Sequence, residues 1–250
     1  MIDGVRLGKA TCQRFEHNNM GHLKQLLDDQ RCKYDNVWIM AESLYSMDGD
    51  FAPLAELVEL KERYNAYLYL DEAHAVACMG PSGLGLSEAL GLSNSIDLLI
   101  GTFGKALAGY GGFVTGSHVL MDTIENFARP WIFSTSLPPI VIDWNQFIWN
   151  KLPSLAGSRT KLQQSANTLR KGLKELGQSC LGESYIVPLL KPGNANVMAL
   201  SKKLQSAEIL ALPIRSPTVA KGTERIRFSL SAEIPPEEIQ RCLKEIMNAL

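Results

Sequence analysis

The chain has 250 residues, of which 46% are hydrophobic and 20% are charged, an ordinary balance for a globular protein. Its 25 basic and 26 acidic residues argue against a nucleic-acid-binding protein, which normally carries a basic surface. Five scattered cysteines without a CxxC pair argue against a zinc site or a disulfide framework. The sequence shows no signal peptide and no apolar run long enough to span a membrane. We therefore expect a soluble cytoplasmic protein with free cysteines.

The first half of the chain alternates predicted strands and helices. Apolar runs at 36–43, 66–74 and 96–105 are typical of buried strands, and a fourth strand is predicted at 111–116. Strands separated by helical crossovers indicate an α/β protein with a mostly parallel sheet. The fourth strand follows the third too closely for a crossover helix, so we expect it to be antiparallel.

The second half predicts a smaller unit with long helices. Apolar residues recur at steps of four and three, which places them on one helix face and predicts that this face packs in the core. These residues are Leu162, Ala166, Leu169, Leu173 and Leu176. Strands are predicted at 185–190, 209–214 and 225–231, with helices at 194–205 and from Pro235 onward. We therefore predict a large domain at 1–150 and a smaller α+β domain at 151–250.

Polar residues follow three of the predicted strands. In open parallel sheets, ligands bind at the carboxyl ends of the strands, where polar side chains from neighbouring strands meet. Each such residue alone is more often a turn former or a solvated side chain. Together the three strands bring an acid, a hydroxyl, an imidazole and an amine to one edge, through Glu42, Ser46, Asp71, His74, Thr102 and Lys105.

The string "DEAH" at 71–74 is also the signature of a class of helicases. Such an enzyme needs the phosphate-binding loop G-x-x-x-x-G-K-[ST], and it needs that loop earlier in the chain. In "GTFGKAL" only two residues separate Gly101 from Gly104, and Ala106 stands where the magnesium-binding hydroxyl should be. This segment also follows the "DEAH" string, so a helicase is excluded.

Lys105 is better suited to forming a Schiff base. Such a lysine needs a partly desolvated site, a close backbone approach to its cofactor and an acid that tunes the cofactor. The glycines around Lys105 allow the approach. Asp71, at the end of another strand, could keep a pyridinium nitrogen protonated, and His74 could reach a phenolic oxygen. These residues indicate a pyridoxal phosphate enzyme.

Five segments of the sequence resemble those of a known enzyme family. The chain resembles the α-oxoamine synthases, pyridoxal-phosphate enzymes of the class II aminotransferase-like family, through "ESLYSMDGDFAPL", "YLDEAHAV", "GTFGKALAGYGGFV", "IFSTSLPP" and "LPIRSPTVAKGTERIRFSLSA". The resemblance runs from residue 1 almost to residue 250 and implies the fold type I architecture of pyridoxal-phosphate transferases. "GTFGKAL" and "STSLPP" favour the branch that acts in biotin biosynthesis.

The resemblance implies a role in cofactor chemistry for each residue at the sheet edge. Lys105 would hold pyridoxal phosphate as a Schiff base and would later move the proton on the substrate's Cα. Asp71 would pair with the pyridine nitrogen. His74 and Ser46 would contact the phenolic oxygen, and Glu42 would lie beside the site.

The resemblance also implies how phosphate and substrates are bound. Thr102 would contact the cofactor phosphate, helped by Ser134 and Thr135 from the partner subunit of a homodimer. Arg215 would clamp the amino-acid carboxylate, with Thr218 nearby. The implied reaction joins an amino acid, L-alanine, to an acyl-CoA, pimeloyl-CoA, with loss of CoA and CO₂.

Two departures from the family pattern keep alternatives open. The resemblance implies that about a third of a family chain, with a histidine that stacks on the cofactor, precedes the first residue of this sequence. Ala77 stands where the family usually has glycine. Three interpretations remain: the biotin-branch acyltransferase, a 2-amino-3-oxobutyrate CoA ligase or another α-oxoamine synthase, and a truncated relative that is not catalytic and at most dimerises.

Overall fold

The computed structural model describes residues 2–249, and its larger sheet has four strands in the order β1-β2-β3-β4. The first three strands are parallel, and β4 runs antiparallel to β3. Both the mostly parallel sheet and the reversed fourth strand are thus confirmed. The strands are β1 (Trp38–Glu42), β2 (Tyr67–Asp71), β3 (Leu98–Thr102) and β4 (Gly112–Gly116).

Helices connect and cover this sheet. Helix α3 begins directly after Pro53, and it buries Leu54, Leu57 and Val58 in the same core as β1 and β2. The helices of this half are α1 (Ile2–Leu7), α2 (Met20–Gln30), α3 (Leu54–Arg63), α4 (Leu86–Ala89), α5 (His118–Phe127), α6 (Arg129–Ile132) and α7 (Pro139–Lys151), with short 3-10 helices at Arg31–Lys33, Ser93–Ser95 and Leu152–Leu155.

A second, antiparallel sheet has the strand order β5-β7-β6. Three members of the predicted helix stripe, Ala166, Leu169 and Leu173, are buried against it, and Leu176 is partly buried in the same core. Leu162 is buried too, but outside this core. The elements are α8 (Ala156–Glu175), β5 (Ile186–Leu190), α9 (Asn194–Ser206), β6 (Leu212–Ile214), β7 (Arg225–Ser229) and α10 (Pro236–Ala249). The expected α+β character is confirmed, whereas the domain boundary at 150/151 stays a prediction.

Most predicted strands are shorter than expected, the one at 96–105 being reduced to Leu98–Thr102, and hydrogen bonds explain two of the early ends. The strand expected at 66–74 ends at Asp71, because the carbonyl of Glu72 accepts hydrogen bonds from a tight turn that follows. The strand expected at 209–214 begins at Leu212, because the Ile209 N–H still bonds to the end of α9, at the carbonyl of Leu204. Within residues 2–249, no helix combines the length and apolar character needed to cross a bilayer.

Candidate active site

Three strands of the larger sheet end side by side, and the last residue of each is polar. Glu42 ends β1 and is in register with Asp71, which ends β2. Thr102 ends β3, two residues beyond the partner of Asp71. The parallel pairing therefore brings the predicted acids and hydroxyl to one edge of the sheet.

Lys105 lies in the turn after β3, within the electrostatic influence of both acids. Loss of water around its amine is the first cause that lowers its pKa, and the charge of Arg227 adds to this, while Asp71 and Glu42 oppose it. The residue as a whole is exposed, although its amine is partly desolvated. An amine that gives up its proton more readily is a better nucleophile and base.

The two acids are held in different ways. One Asp71 oxygen, Oδ1, accepts a hydrogen bond from the Ala73 N–H at 2.9 Å. Burial, and then the charge of Asp71, raises the pKa of Glu42, while the Ser46 N–H and Lys105 oppose that rise. The structure thus brings together Asp71, Glu42, Lys105 and the backbone of Ser46.

His74 is half-buried beside the same charges. Burial, followed by the charges of Lys105 and Arg227, lowers the pKa of His74 to about 4, against the opposing charge of Asp71. Its carbonyl accepts a hydrogen bond from the Tyr185 hydroxyl at 2.9 Å. At neutral pH the ring is uncharged and can donate one hydrogen bond while accepting another.

Glu72, the second acid of "DEAH", is fully buried and holds the local structure. Its carboxylate accepts hydrogen bonds from the Ser43 hydroxyl at 2.6 Å and from the N–H groups of Leu86 at 3.0 Å and Ser87 at 2.8 Å. These contacts join the end of β1, the end of β2 and the first turn of α4. Glu72 therefore fixes the position of Asp71 and is closed off from any ligand.

The glycine-rich turn is tightly packed on one side and open on the other. A side chain at Gly101 would overlap the ring of Phe113, whereas a Cβ at Gly104 would meet only the Thr102 hydroxyl oxygen, at 3.6 Å. That hydroxyl donates to the Gly111 carbonyl at 3.1 Å and accepts from the Gly104 N–H at 3.2 Å. Thr102 thus shapes the loop, and its predicted contact with a phosphate stays a prediction.

Four other predicted residues lie on exposed segments. Ser134 and Thr135 follow α6, and the Ser134 hydroxyl bonds to the Pro130 carbonyl. Arg215 and Thr218 lie in an exposed turn in which the Arg215 carbonyl accepts from the Val219 N–H at 3.2 Å. Within the described residues, no side-chain hydrogen bond or ion pair joins these four to Lys105, so their roles stay predictions.

Arg227 joins the candidate site, because its charge acts on both Lys105 and His74, although it was not among the predicted residues. Its guanidinium donates to the Ser46 carbonyl at 3.3 Å, and its buried Nε has no partner among the described residues. Its neighbour on the same strand face, Arg225, is already paired with Asp48 at 2.6 Å. Two arginines spaced two apart in an apolar strand share one face, and that pattern could have identified Arg227.

Comparison with known proteins gives a family and a set of similar chains. The sequence profile of the family "Aminotransferase class I and II" matches residues 1–246. The "Putative 8-amino-7-oxononanoate synthase" of Haemophilus influenzae is 44% identical over 242 residues, covering 96% of this chain and 64% of that protein. The chain therefore spans less than two thirds of the length of this relative.

Solved structures agree on the fold. Serine palmitoyltransferase from S. paucimobilis with a bound PLP–myriocin aldimine superposes with a TM-score of 0.93 at 32% identity, covering 99% of this chain and 63% of the other. The 8-amino-7-oxononanoate synthase of Francisella tularensis gives 0.84 at 25% identity, with 99% and 71% covered. The expected fold of pyridoxal-phosphate transferases is confirmed.

Proposed function

The chain belongs to the aminotransferase class I and II family, and on that premise we propose that it is a pyridoxal-phosphate-dependent acyltransferase of the α-oxoamine synthase group. The proposed reaction condenses L-alanine with pimeloyl-CoA, releases CoA and CO₂, and gives 8-amino-7-oxononanoate for biotin synthesis. The observation that carries the proposal is the Lys105 amine, whose pKa is lowered at a sheet edge that also presents Asp71 and Glu42.

The donor set at this edge fits pyridoxal phosphate. Lys105 offers an amine for the aldehyde, and Asp71 offers a carboxylate for the ring nitrogen. His74 offers a neutral imidazole for the phenolic oxygen. The open side of Gly104 leaves room for close approach, with Thr102 beneath it. When bound, the cofactor acts as an electron sink for the substrate's Cα.

The protein's own groups would handle the protons. The carboxylate of Asp71 would hold a proton on the ring nitrogen, because a negative charge nearby favours the protonated form. The Nζ of Lys105, with its lowered pKa, would take the proton from Cα and later return one. His74, uncharged at neutral pH, and Ser46 would orient the ring without adding a competing charge.

Two arginines are candidates for the amino-acid carboxylate. Arg215 is the residue implied by the family resemblance, and it is exposed. Arg227 influences Lys105 directly and keeps an unpartnered Nε. Replacing each by glutamine should separate them, since losing a hydrogen bond between charged groups costs about 1.5–3 kcal/mol, about a 10- to 150-fold loss of L-alanine affinity.

The proposed homodimer is supported by an apolar surface. Large side chains on α5, α7 and the segment between them are exposed, among them Phe127, Trp131, Phe133 and Ile140. A patch of this kind marks an interaction site in soluble proteins. Ser134 and Thr135 lie in the same region, where they could reach the phosphate of a partner subunit's cofactor.

A second α-oxoamine synthase activity is favoured by one observation. The S. paucimobilis serine palmitoyltransferase matches at a higher TM-score and identity than the Francisella synthase does. That alternative would use L-serine and a long-chain acyl-CoA. Thiol release from pimeloyl-CoA with L-alanine, compared with palmitoyl-CoA and L-serine, distinguishes the two.

Borohydride trapping tests the cofactor assignment independently of turnover. After incubation with pyridoxal phosphate and reduction, mass spectrometry should find the adduct on the peptide that contains Lys105. Lys105→Ala should abolish it, and Lys161→Ala, at an exposed lysine on α8, should not. An adduct that persists at the same yield in Lys105→Ala would contradict the proposal and leave the non-catalytic alternative.

A further inference from the structure

A cleft of about 360 Å³ adjoins the candidate site. It lies between the C-terminal part of α7, the start of α8 and the turn after β7. One of its walls contains Ala106, the residue after Lys105, and Ala77, which follows His74 by three residues. Its volume falls at the lower end of the ~300–1,000 Å³ typical of small-molecule pockets.

The walls of this cleft are mostly apolar. They are formed by α7, the 3-10 helix after it, α8 and the turn after β7. The apolar residues in these walls are Ile148, Leu152, Leu155, Leu162 and Leu230. Such a surface stabilises a hydrocarbon chain by removing it from water. Because Ala106 is covalently next to Lys105, a chain attached to a group reacting at that lysine could extend along these walls.

One cation, Arg159, also lines the cleft. Its guanidinium donates to the carbonyls of Leu152, at 2.8 Å, and Pro81. Both acceptors are neutral, and three of the five N–H donors of an arginine remain free after these two bonds. Within residues 2–249, no carboxylate forms an ion pair with Arg159.

We infer that the cleft holds the acyl arm of the acyl-CoA and that Arg159 binds a carboxylate at the far end of that arm. This inference rests on the proposed function. The product that the relatives' name describes, 8-amino-7-oxononanoate, carries a carboxylate at the end of the chain opposite its amino ketone. Apolar walls together with a guanidinium that pairs with no carboxylate within residues 2–249 complement an acyl chain of that kind.

The same arrangement selects against ordinary fatty acyl chains. A methyl group at the end of the chain would displace water from Arg159 and would give its free N–H donors no partner. Sites that leave a buried polar group unpaired reject the wrong ligand much more strongly than sites that lose only an apolar contact. Arg159 is therefore a specificity-determining residue for a dicarboxylic acyl group.

Calorimetric titration with two matched thioesters tests this assignment. Pimeloyl-CoA and heptanoyl-CoA have the same number of acyl carbons and differ only in the terminal carboxylate. With pyridoxal phosphate present, the 250-residue protein should bind pimeloyl-CoA at least ~10-fold more tightly, the scale of a hydrogen bond between charged groups. Arg159→Gln should remove this preference and leave heptanoyl-CoA affinity within about twofold.

Two further variants make the result specific. Lys161→Gln removes a charge of the same sign from an exposed position on the same helix, and it should keep the full preference. Arg159→Lys keeps the charge without the forked donor geometry, so it should keep part of the preference. Melting curves and heptanoyl-CoA binding report whether each variant retains the fold and the cleft.

The possible failures separate the two proposals. Equal binding of both thioesters by the unchanged protein, or a preference that survives in Arg159→Gln, would overturn the role of Arg159 while leaving an acyl-CoA enzyme intact. If neither thioester binds, the acyl-CoA function itself is contradicted together with the inference that depends on it.

Discussion

Acidification should weaken the fold through His74. Burial and the charges of Lys105 and Arg227 lower the pKa of its imidazole from 6.5 to about 4, against the opposing charge of Asp71. The unfolded chain therefore takes up a proton near pH 6.5, whereas the folded protein takes it up only near pH 4. The stability due to a neutral His74 is fully present above pH 6.5 and is lost as the pH falls toward 4.

The size of this effect follows from the same two pKa values. One pKa unit corresponds to about 1.4 kcal/mol, so the interval between 6.5 and about 4 sets an upper limit of roughly 3.5 kcal/mol. His74 is only half-buried, and water screens its charge interactions. We therefore expect about 1–2 kcal/mol of unfolding free energy to be lost across this interval.

Urea unfolding at pH 7 and pH 5, with the wild type and two variants, measures this contribution. Other groups also titrate, so the informative quantity is the difference between proteins. His74→Gln should lose less stability on acidification than the wild type, and His118→Gln, at an exposed histidine, should behave like the wild type. An NMR titration that places the His74 pKa at 6.5 or above would refute the reasoning.

Three further predictions concern how the site is supported. Glu72→Gln puts an amide against donors that now bond to a carboxylate, so urea unfolding should show a loss of about 1–3 kcal/mol, and an unchanged midpoint would contradict this. Ala77 has φ +69°, which costs an L-residue about 1–2 kcal/mol, so Ala77→Gly should raise the melting temperature slightly, whereas Ala75→Gly, in the same turn, should lower it. Gly101→Ala should destabilise by about 1–3 kcal/mol through overpacking, and Gly104→Ala, where there is space, should leave the urea midpoint nearly unchanged.

The sheet was predictable because its signals are local. The apolar run at 36–43 correctly predicts a strand, and the short glycine-rich link before 111–116 excludes a crossover helix. The expected burial of that strand on both faces is wrong, because Ile39 and Ala41 are buried on one face while Trp38 on the other is exposed. The ends were less predictable. The strand predicted at 209–214 begins only at Leu212, because Glu208 adopts φ +59° and the Ile209 N–H caps α9. Composition does not reveal such hydrogen bonds.

Arg227 was missed because its partner is distant in sequence. The guanidinium meets the carbonyl of Ser46, 181 residues earlier, across the two sheets. Sequence spacing places Arg225 and Arg227 on one strand face without indicating that this face meets the loop after β1. The resemblance implies Arg215 instead, and the fold leaves that residue exposed.

The two acids of "DEAH" illustrate how the fold, rather than the string, assigns chemistry. Successive residues at a strand end point to opposite sides, so Asp71 and Glu72 enter different surroundings. Asp71 influences the amine of Lys105, while Glu72 is closed in by Ser43 and the first turn of α4. In a helicase both acids would be needed at a metal and its water. Here Glu72 supports the local structure, and Asp71 is left free to act beside Lys105, as the proposed Schiff-base site requires.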